Sequence, residues 1–184
     1  MDSHGLADWL GYLSHEEIDF LKSLAQLLPR QPMVVNLGAG GGTSALAFLE
    51  ARPDLLLCSI DIQEESSPLG CLEGERRAVE QSGLAWQGRL IQIWDDSREV
   101  GRNWQQGQVD MVFVDGDHSY DGCRGDIEAW LPNVRPSGIL ALHDYRQPGE
   151  EKTWPGVADA VDELLLPRFC QVGRTGSVIA FRIG

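Results

Sequence analysis

No stretch of this 184-residue chain approaches the ~20 consecutive apolar residues of a bilayer-spanning helix, so nothing in it reads as a membrane segment. Basic residues are scarce: 15 stand against 28 acidic ones, for a net charge of −13, and only Lys22 and Lys152 are lysines. A field of that sign repels both a phosphate backbone and an anionic lipid surface, which removes nucleic acid and membranes from the expected partners. The opening MDSHGLADWLGYLSHEE lacks the basic-then-apolar layout of a secretory signal, so the expected compartment is the cytoplasm. Cysteine is limited to Cys58, Cys71, Cys123 and Cys170, with no C-x-x-C pair. That excludes the usual zinc and dithiol patterns and leaves reduced thiols that serve as packing residues. Repeats, low-complexity tracts and linkers are absent, and the length suits one domain, residues 1–184.

What is present is globular: 42% hydrophobic and 23% charged residues. Ser14 and Glu17 form a capping box, followed by Ile18, Leu21, Leu24, Ala25 and Leu28 at helical spacing until Pro29 and Pro32 stop the run. Residues 1–32 are therefore expected to form a helical extension ahead of a core over 33–184. In that core, short apolar runs at 33–37, 55–62, 90–94, 109–114 and 138–143 alternate with helix-compatible stretches such as 72–81 and 120–131. Strands alternating with helices predict an α/β, doubly wound, mostly parallel sheet. After a helical stretch at 157–166, runs at 169–172 and 177–183 joined by GRTG predict a closing hairpin, which makes one strand antiparallel. Residues 147–155, rich in Pro and Glu, read as a mobile loop after the fifth strand.

Ligands of open α/β sheets bind beyond the carboxyl ends of the strands, so strand ends carry the functional information. The first strand runs into Gly38-Ala39-Gly40-Gly41-Gly42-Thr43, where a sharp turn lets backbone approach a ligand. Its spacing fits a dinucleotide site, an adenosyl site built on Gly38 and Gly40, or a tight packing turn. Asp61 ends the second strand, where an acid accepts hydrogen bonds from ribose hydroxyls; with the glycines it reads as a nucleoside site. Asp95, Asp96 and Ser97 end the third strand and either read an adenine edge or cap a helix from Arg98. The fourth and fifth strands end VFVDGDHSY and LALHDY, which gathers Asp115, Asp117, His118, His143 and Asp144 at two ends expected to be adjacent. Titratable residues in such a constellation point to acid–base or metal chemistry.

The motifs VVNLGAGGGTS, SIDI, WDDS, VDMVFVDGDHSYDGCRGDIEAWLPNVRPSGILALHDY and the closing hairpin resemble class I S-adenosylmethionine-dependent methyltransferases over Met33 to Ile183. The long fourth motif is similar to the small-molecule O-methyltransferase branch that includes macrolide, aminocoumarin-sugar and cephalosporin-related enzymes. The resemblance implies a Rossmann-like, mostly parallel seven-stranded sheet with a C-terminal antiparallel hairpin. It implies S-adenosylmethionine bound by Asn36, Gly38, Ala39, Gly40, Asp61, Ile62, Asp96, Ser97 and Asp115. It also implies a divalent cation, Mg²⁺ or Mn²⁺, on Asp115, His143 and Asp144, and a general base at Asp117 or His118. The implied acceptor is a small hydroxylated molecule such as a sugar or secondary metabolite. Asn36 stands where such enzymes commonly carry an acid, and His143 where many carry Asp or Glu; an imidazole ligand favours Mn²⁺, Fe²⁺ or Zn²⁺ over Mg²⁺.

The chain is short for such an enzyme, so its acceptor pocket is expected to draw on residues 1–32, on the 147–155 loop, or on a second subunit, which keeps a homo-oligomer among the expectations. Trp9 and Tyr12, read as preceding the first helix, either cover the cofactor or pack; Trp154 is a candidate for lining the acceptor pocket, and Arg146 for pairing with an acidic acceptor. His118 is equally a cap for the helix at Ser119. A short-chain reductase requires a Tyr-x-x-x-Lys pair, but Tyr120 is followed at that spacing by Arg124 and Tyr145 by Gly149, which excludes it. The alternative that stays is a cofactor-binding module without catalysis.

Overall fold

Apolar runs of five or six residues form buried strands here because helices cover both faces of the sheet. The computed structural model describes residues 1–62, 71–146 and 154–184. Two helices, α1 (Ser3–Leu10) and α2 (His15–Gln26), precede β1 (Met33–Leu37), α3 (Thr43–Ala51), β2 (Leu56–Asp61), α4 (Cys71–Ser82) and β3 (Leu90–Trp94). The short α5 (Ser97–Arg102), β4 (Val109–Val114), α6 (Tyr120–Trp130), β5 (Val134–Leu142), α7 (Pro155–Leu164), β6 (Cys170–Thr175) and β7 (Val178–Arg182) complete it. The seven strands lie in the order β3-β2-β1-β4-β5-β7-β6. β1 to β5 are mutually parallel, and β7 is antiparallel to both of its neighbours. This is the Rossmann-like sheet with its closing hairpin that the sequence predicts.

Alternate residues of each strand serve opposite layers. Met111, Phe113, Ile139 and Ala141 join the cluster with Leu6, Ile18, Leu21 and Phe48, beneath α1, α2 and α3. Val112, Val114, Leu140 and Leu142 join the cluster with Ile127, Trp130, Val157 and Val161, beneath α6 and α7. Continued one step, this parity directs His143 toward α2.

The register fixes the functional edge. Leu37 pairs with Ile60 and Val114, and Val114 pairs with Leu142. The ladder then runs one residue on: Gly38 N–H donates to Ile60 O at 2.9 Å, Asp115 N–H to Leu37 O at 2.9 Å and His143 N–H to Val114 O at 3.0 Å. Gly38, Asp61, Asp115 and His143 thus reach one level at the carboxyl ends of four strands. The chain leaves β1 toward β2 on one side and later returns as β4 on the other, so the crevice opens beside β1.

The capping box of α2 is present, with Glu17 N–H donating to Ser14 Oγ at 3.3 Å and Ser14 N–H to Glu17 Oε2 at 2.8 Å. Three features depart from the sequence reading. An extra helix, α1, carries Trp9, capped by the Asp2 carboxylate and tied down where Ser3 N–H and Oγ–H donate to the Glu50 carboxylate at 2.8 and 2.6 Å. Eight residues are too few for a clear period. β5 begins at Val134 rather than at 138, because the ladder with β4 shifts register between Val109 and Met111 and so accommodates Pro136 and Ser137 within the strand. The hairpin turns on Gly176 and Ser177 alone, with Gly173 and Arg174 already paired in β6. Of the expected mobile loop, residues 147–153 lie outside the described residues. Among the described residues, no helix is long and apolar enough to cross a membrane.

Candidate functional site

The glycine run after β1 is dictated by crowding. Gly38 has φ +88°, and a Cβ there would overlap the backbone carbonyl of Asp115; a Cβ on Gly41 would overlap the side chain of Leu10. The loop is therefore pressed between the end of β4 and the α1–α2 segment. Asp61 stitches it to β2, its Oδ2 accepting from Ala39 N–H at 2.8 Å. No side chain caps the amino end of α3, whose cap residue is Gly42.

Two clefts flank this loop. The larger, about 610 Å³, is lined by Gly38, Gly40, Asp61, Ile62, Asp96, Ser97, Asp115, Asp117, His118 and Asp126, among others. The second, about 380 Å³, is lined by Tyr12, Leu13, Ala39, Asp115, His118, His143, Asp144 and Trp154, with others of the glycine loop. Gly38, Gly40, Asp115 and His118 border both. A molecule in one cleft therefore faces a molecule in the other across Asp115 and His118.

Most of the residues expected at the cofactor site converge on the larger cleft. Asn36 lies beneath it, fully buried, its Nδ2 donating to Gly38 O at 3.2 Å and to Ser59 Oγ at 3.4 Å. Asp96 lines the cleft and also caps α5, accepting from Arg98 N–H at 2.8 Å and pairing with the Arg98 guanidinium, which holds its carboxyl down to about 2. The cap is thus Asp96, and Ser97 Oγ donates instead to Asp126.

The smaller cleft ends on a compact charged cluster. His118 Nε2 lies 2.8 Å from Asp144 Oδ2 and 3.9 Å from Asp115 Oδ1. His143 Nδ1 lies 3.0 Å from Asp115 Oδ1 and 3.3 Å from Asp144 Oδ2, and its Nε2 lies 3.8 Å from Glu17 Oε1. The His118 ring stacks on Trp154 with centroids 4.7 Å apart. Asp144 has φ +59°, a backbone conformation costly for a residue with a side chain, and it is the turn that brings this carboxylate in beside both imidazoles.

Electrostatics follow from the contacts. Burial opposes the charge of His143, but Asp115, Asp144 and Glu17 outweigh it and push the imidazole up to about 12. Burial would raise Asp144, yet the two imidazoles carry it well below the carboxylate range. The bond to Asp144 raises His118 above its ordinary value. Asp117 points elsewhere: its Oδ1 accepts from Ser119 N–H at 2.9 Å, which lowers its pKa and fixes the turn into α6. The helix cap there is Ser119, accepting from Gly122 N–H at 3.0 Å, so His118 is free of that duty.

Among the described residues, Asp115, His118 and Asp144 form a group whose ligand atoms all lie within 4.8 Å of one another. Two carboxylates and an imidazole so close fit a small divalent cation. His143 stands behind them, only 9% exposed.

Three buried acids escaped the site reading. Glu75, in α4, accepts from Ser59 Oγ–H and Gln92 Nε2–H, each at 2.6 Å, and burial raises it to about 7. Asp126, in α6, is raised by burial to about 6. Glu17 was visible only as a capping residue. The signal each left is an acid on the apolar stripe of a helix: Glu75 between Leu72 and Val79, Asp126 beside Cys123 and Ile127, Glu17 beside Ile18 and Leu21.

Comparison with known proteins bears on the family and the fold. Residues 35–145 match a family model described as a methyltransferase domain. The fold matches a candidate caffeoyl-CoA O-methyltransferase from Staphylococcus aureus with a TM-score of 0.73 at 14% identity, over 97% of this chain and 88% of that one. It also matches CalS11, a TDP-rhamnose 3′-O-methyltransferase of calicheamicin biosynthesis, with a TM-score of 0.68 at 18% identity, over 98% of this chain and 81% of that one. At such identities the likeness is one of fold. In sequence, 40 residues are 35% identical to the Sinorhizobium fredii protein y4gI, a match that spans 22% of this chain and 4% of that protein.

Proposed function

Because the chain belongs to the methyltransferase-domain family whose model its residues 35–145 match, we propose that it transfers the methyl group of S-adenosylmethionine to a hydroxyl oxygen of a small molecule, with a divalent cation as aid. The observation that carries this reading is the placement of Asp115 and His118 on the border of both clefts, with Asp144 beside them.

Methyl transfer from a sulfonium is an in-line displacement, so the protein's work is to align acceptor oxygen, methyl and sulfur and to remove the acceptor's proton. In this reading the larger cleft holds the cofactor. Asp61 accepts from the ribose hydroxyls while its bond to Ala39 N–H holds the glycine loop against the ligand. Ile62 and Ser97 border the adenine, and Gly38 and Gly40 admit the methionyl arm. The acceptor enters the smaller cleft between Tyr12 and Trp154. Asp115 and Asp144 would hold the cation, which supplies the acidity that lets a neutral hydroxyl ionise. His118 takes the proton at Nδ1, while its Nε2–H donates to Asp144, which with Trp154 stacking orients the ring, the arrangement of a base and its orienting partner.

The test is incubation with S-adenosylmethionine carrying a labelled methyl group and a panel of hydroxylated small molecules, with and without EDTA. The reading expects label on an acceptor oxygen and loss of transfer with EDTA. Label on nitrogen, or transfer indifferent to EDTA, would overturn the oxygen or the metal part respectively.

A further inference from the structure

Asp95, Asp96 and Ser97 lead from β3 into α5, and the two acids are not available to a ligand. Asp95 is exposed and lines neither cleft. Asp96 lines the larger cleft, but its Oδ1 accepts from Arg98 N–H at 2.8 Å and from Arg98 Nε–H at 3.0 Å, and its Oδ2 accepts from Arg98 Nη2–H at 2.6 Å. Ser97, half-buried on the same cleft, is the polar side chain of the three that is left to meet a ligand.

α6 sets the direction of Ser97. Its backbone carbonyl accepts from Trp130 Nε1–H at 2.9 Å, and its hydroxyl donates to Asp126 Oδ1, one helical turn before Trp130. Trp130 and Asp126 are both buried, so the two anchors are fixed by packing. The other charged groups that act on Asp126 are Arg98, Asp96 and Asp117. A carboxylate only accepts, so the single hydroxyl hydrogen is committed to Asp126 and Ser97 Oγ turns lone pairs alone to the cleft. Lone pairs in that place suit an N–H donor and repel a carbonyl oxygen.

We propose that Asp126 is a positioning residue for base recognition: by holding the Ser97 hydroxyl as an acceptor, it makes the larger cleft select a purine with an exocyclic amino group, adenine, over one with an oxo group. The inference rests on the cofactor reading of that cleft and deepens it, by assigning the choice of base to a contact between α5 and α6. When an oxo group replaces the amino group, two acceptors face each other and neither is satisfied, which is the costly kind of mismatch.

The experiment is calorimetric titration of S-adenosylhomocysteine and of its deaminated analogue, S-inosylhomocysteine, into wild type, Asp126→Asn, Asp126→Ala and Ser97→Ala. It is run at about pH 8, so that Asp126, raised by burial to about 6, is ionised. The readout is the ratio of the two dissociation constants, which a merely structural role would leave unchanged because it weakens both ligands alike. The expected result is a preference of at least about tenfold for S-adenosylhomocysteine in wild type. Asp126→Asn can turn its amide to donate to Ser97 Oγ, which releases the hydroxyl hydrogen toward an oxo group, and Asp126→Ala releases it outright. In both, and in Ser97→Ala, the preference should fall to within about threefold. Asp126→Ala carries the test where Asp126→Asn does not fold. Equal binding of the two nucleosides by wild type, or a wild-type ratio in any folded variant, overturns the inference alone. A wild-type protein that binds neither nucleoside overturns the cofactor reading and the inference together.

Discussion

His118 and Asp144 meet at 2.8 Å although they come from the ends of different strands, β4 and β5, which are held level by the bond from His143 N–H to Val114 O. The pair separates two roles that one substitution each can expose. Asp144→Ala should abolish Mn²⁺ binding and leave S-adenosylhomocysteine affinity within a few-fold of wild type. His118→Ala should keep Mn²⁺ binding while methyl transfer falls roughly 10²–10⁴-fold, the loss typical of a general base. Loss of Mn²⁺ from His118→Ala would instead make His118 a ligand, as its place in the group of three potential ligands allows.

Asp61 links the glycine loop to the end of β2 through Ala39 N–H. Asp61→Ala should weaken S-adenosylhomocysteine binding by at least about tenfold, the scale of a lost hydrogen bond to a charged group. Calorimetric titration of the variant is the check, and native affinity would remove Asp61 from the nucleoside site.

Gly38 cannot take a side chain while Asp115 keeps its backbone position, since a Cβ would overlap the Asp115 carbonyl and φ is +88°. Gly38→Ala should cost about 3 kcal/mol or more of stability, in the range of severe backbone and packing conflicts. Thermal unfolding of the variant measures it, and an unchanged midpoint would mean that the β1–β4 junction is not crowded.

Glu75 makes stability depend on pH. Its folded pKa is raised from 4.5 to about 7 by burial, so its contribution is fully present below 4.5 and is lost as pH rises through about 7. Glu75→Gln keeps a partner for Ser59 and Gln92 and cannot ionise. Between pH 4.5 and 8 the variant should therefore gain on wild type by about 3 kcal/mol, the linkage value of a shift of this size. Denaturant unfolding at several pH values reads the difference; a constant gap would place the Glu75 pKa near its ordinary value.

The fold was legible because strands buried on both faces read as short apolar runs, as in Val109–Val114, and the helices between them as polar stretches. The edge of the site was legible for a related reason: polar residues that interrupt such runs, like Asp61, Asp115 and His143, stand at the carboxyl ends where ligands bind. What the sequence concealed depends on packing between distant segments. α1 has eight residues, and the bonds that tie it down go to Glu50, far away in sequence. The left-handed turn at Asp144 brings its carboxylate to His118, and no local pattern announces a positive φ at an aspartate. Glu17 and Asp126 each satisfy an ordinary helix pattern while bonded to a serine far away in sequence, Ser177 in one case and Ser97 in the other.

The central claim is that the cleft beside β1 binds the nucleoside of S-adenosylmethionine. Calorimetric titration of S-adenosylhomocysteine into the purified protein, repeated with Mn²⁺ and with EDTA, tests it most directly. The account predicts a one-to-one isotherm in the micromolar range that survives EDTA, with a separate isotherm for Mn²⁺. Absence of S-adenosylhomocysteine binding under all three conditions would contradict it.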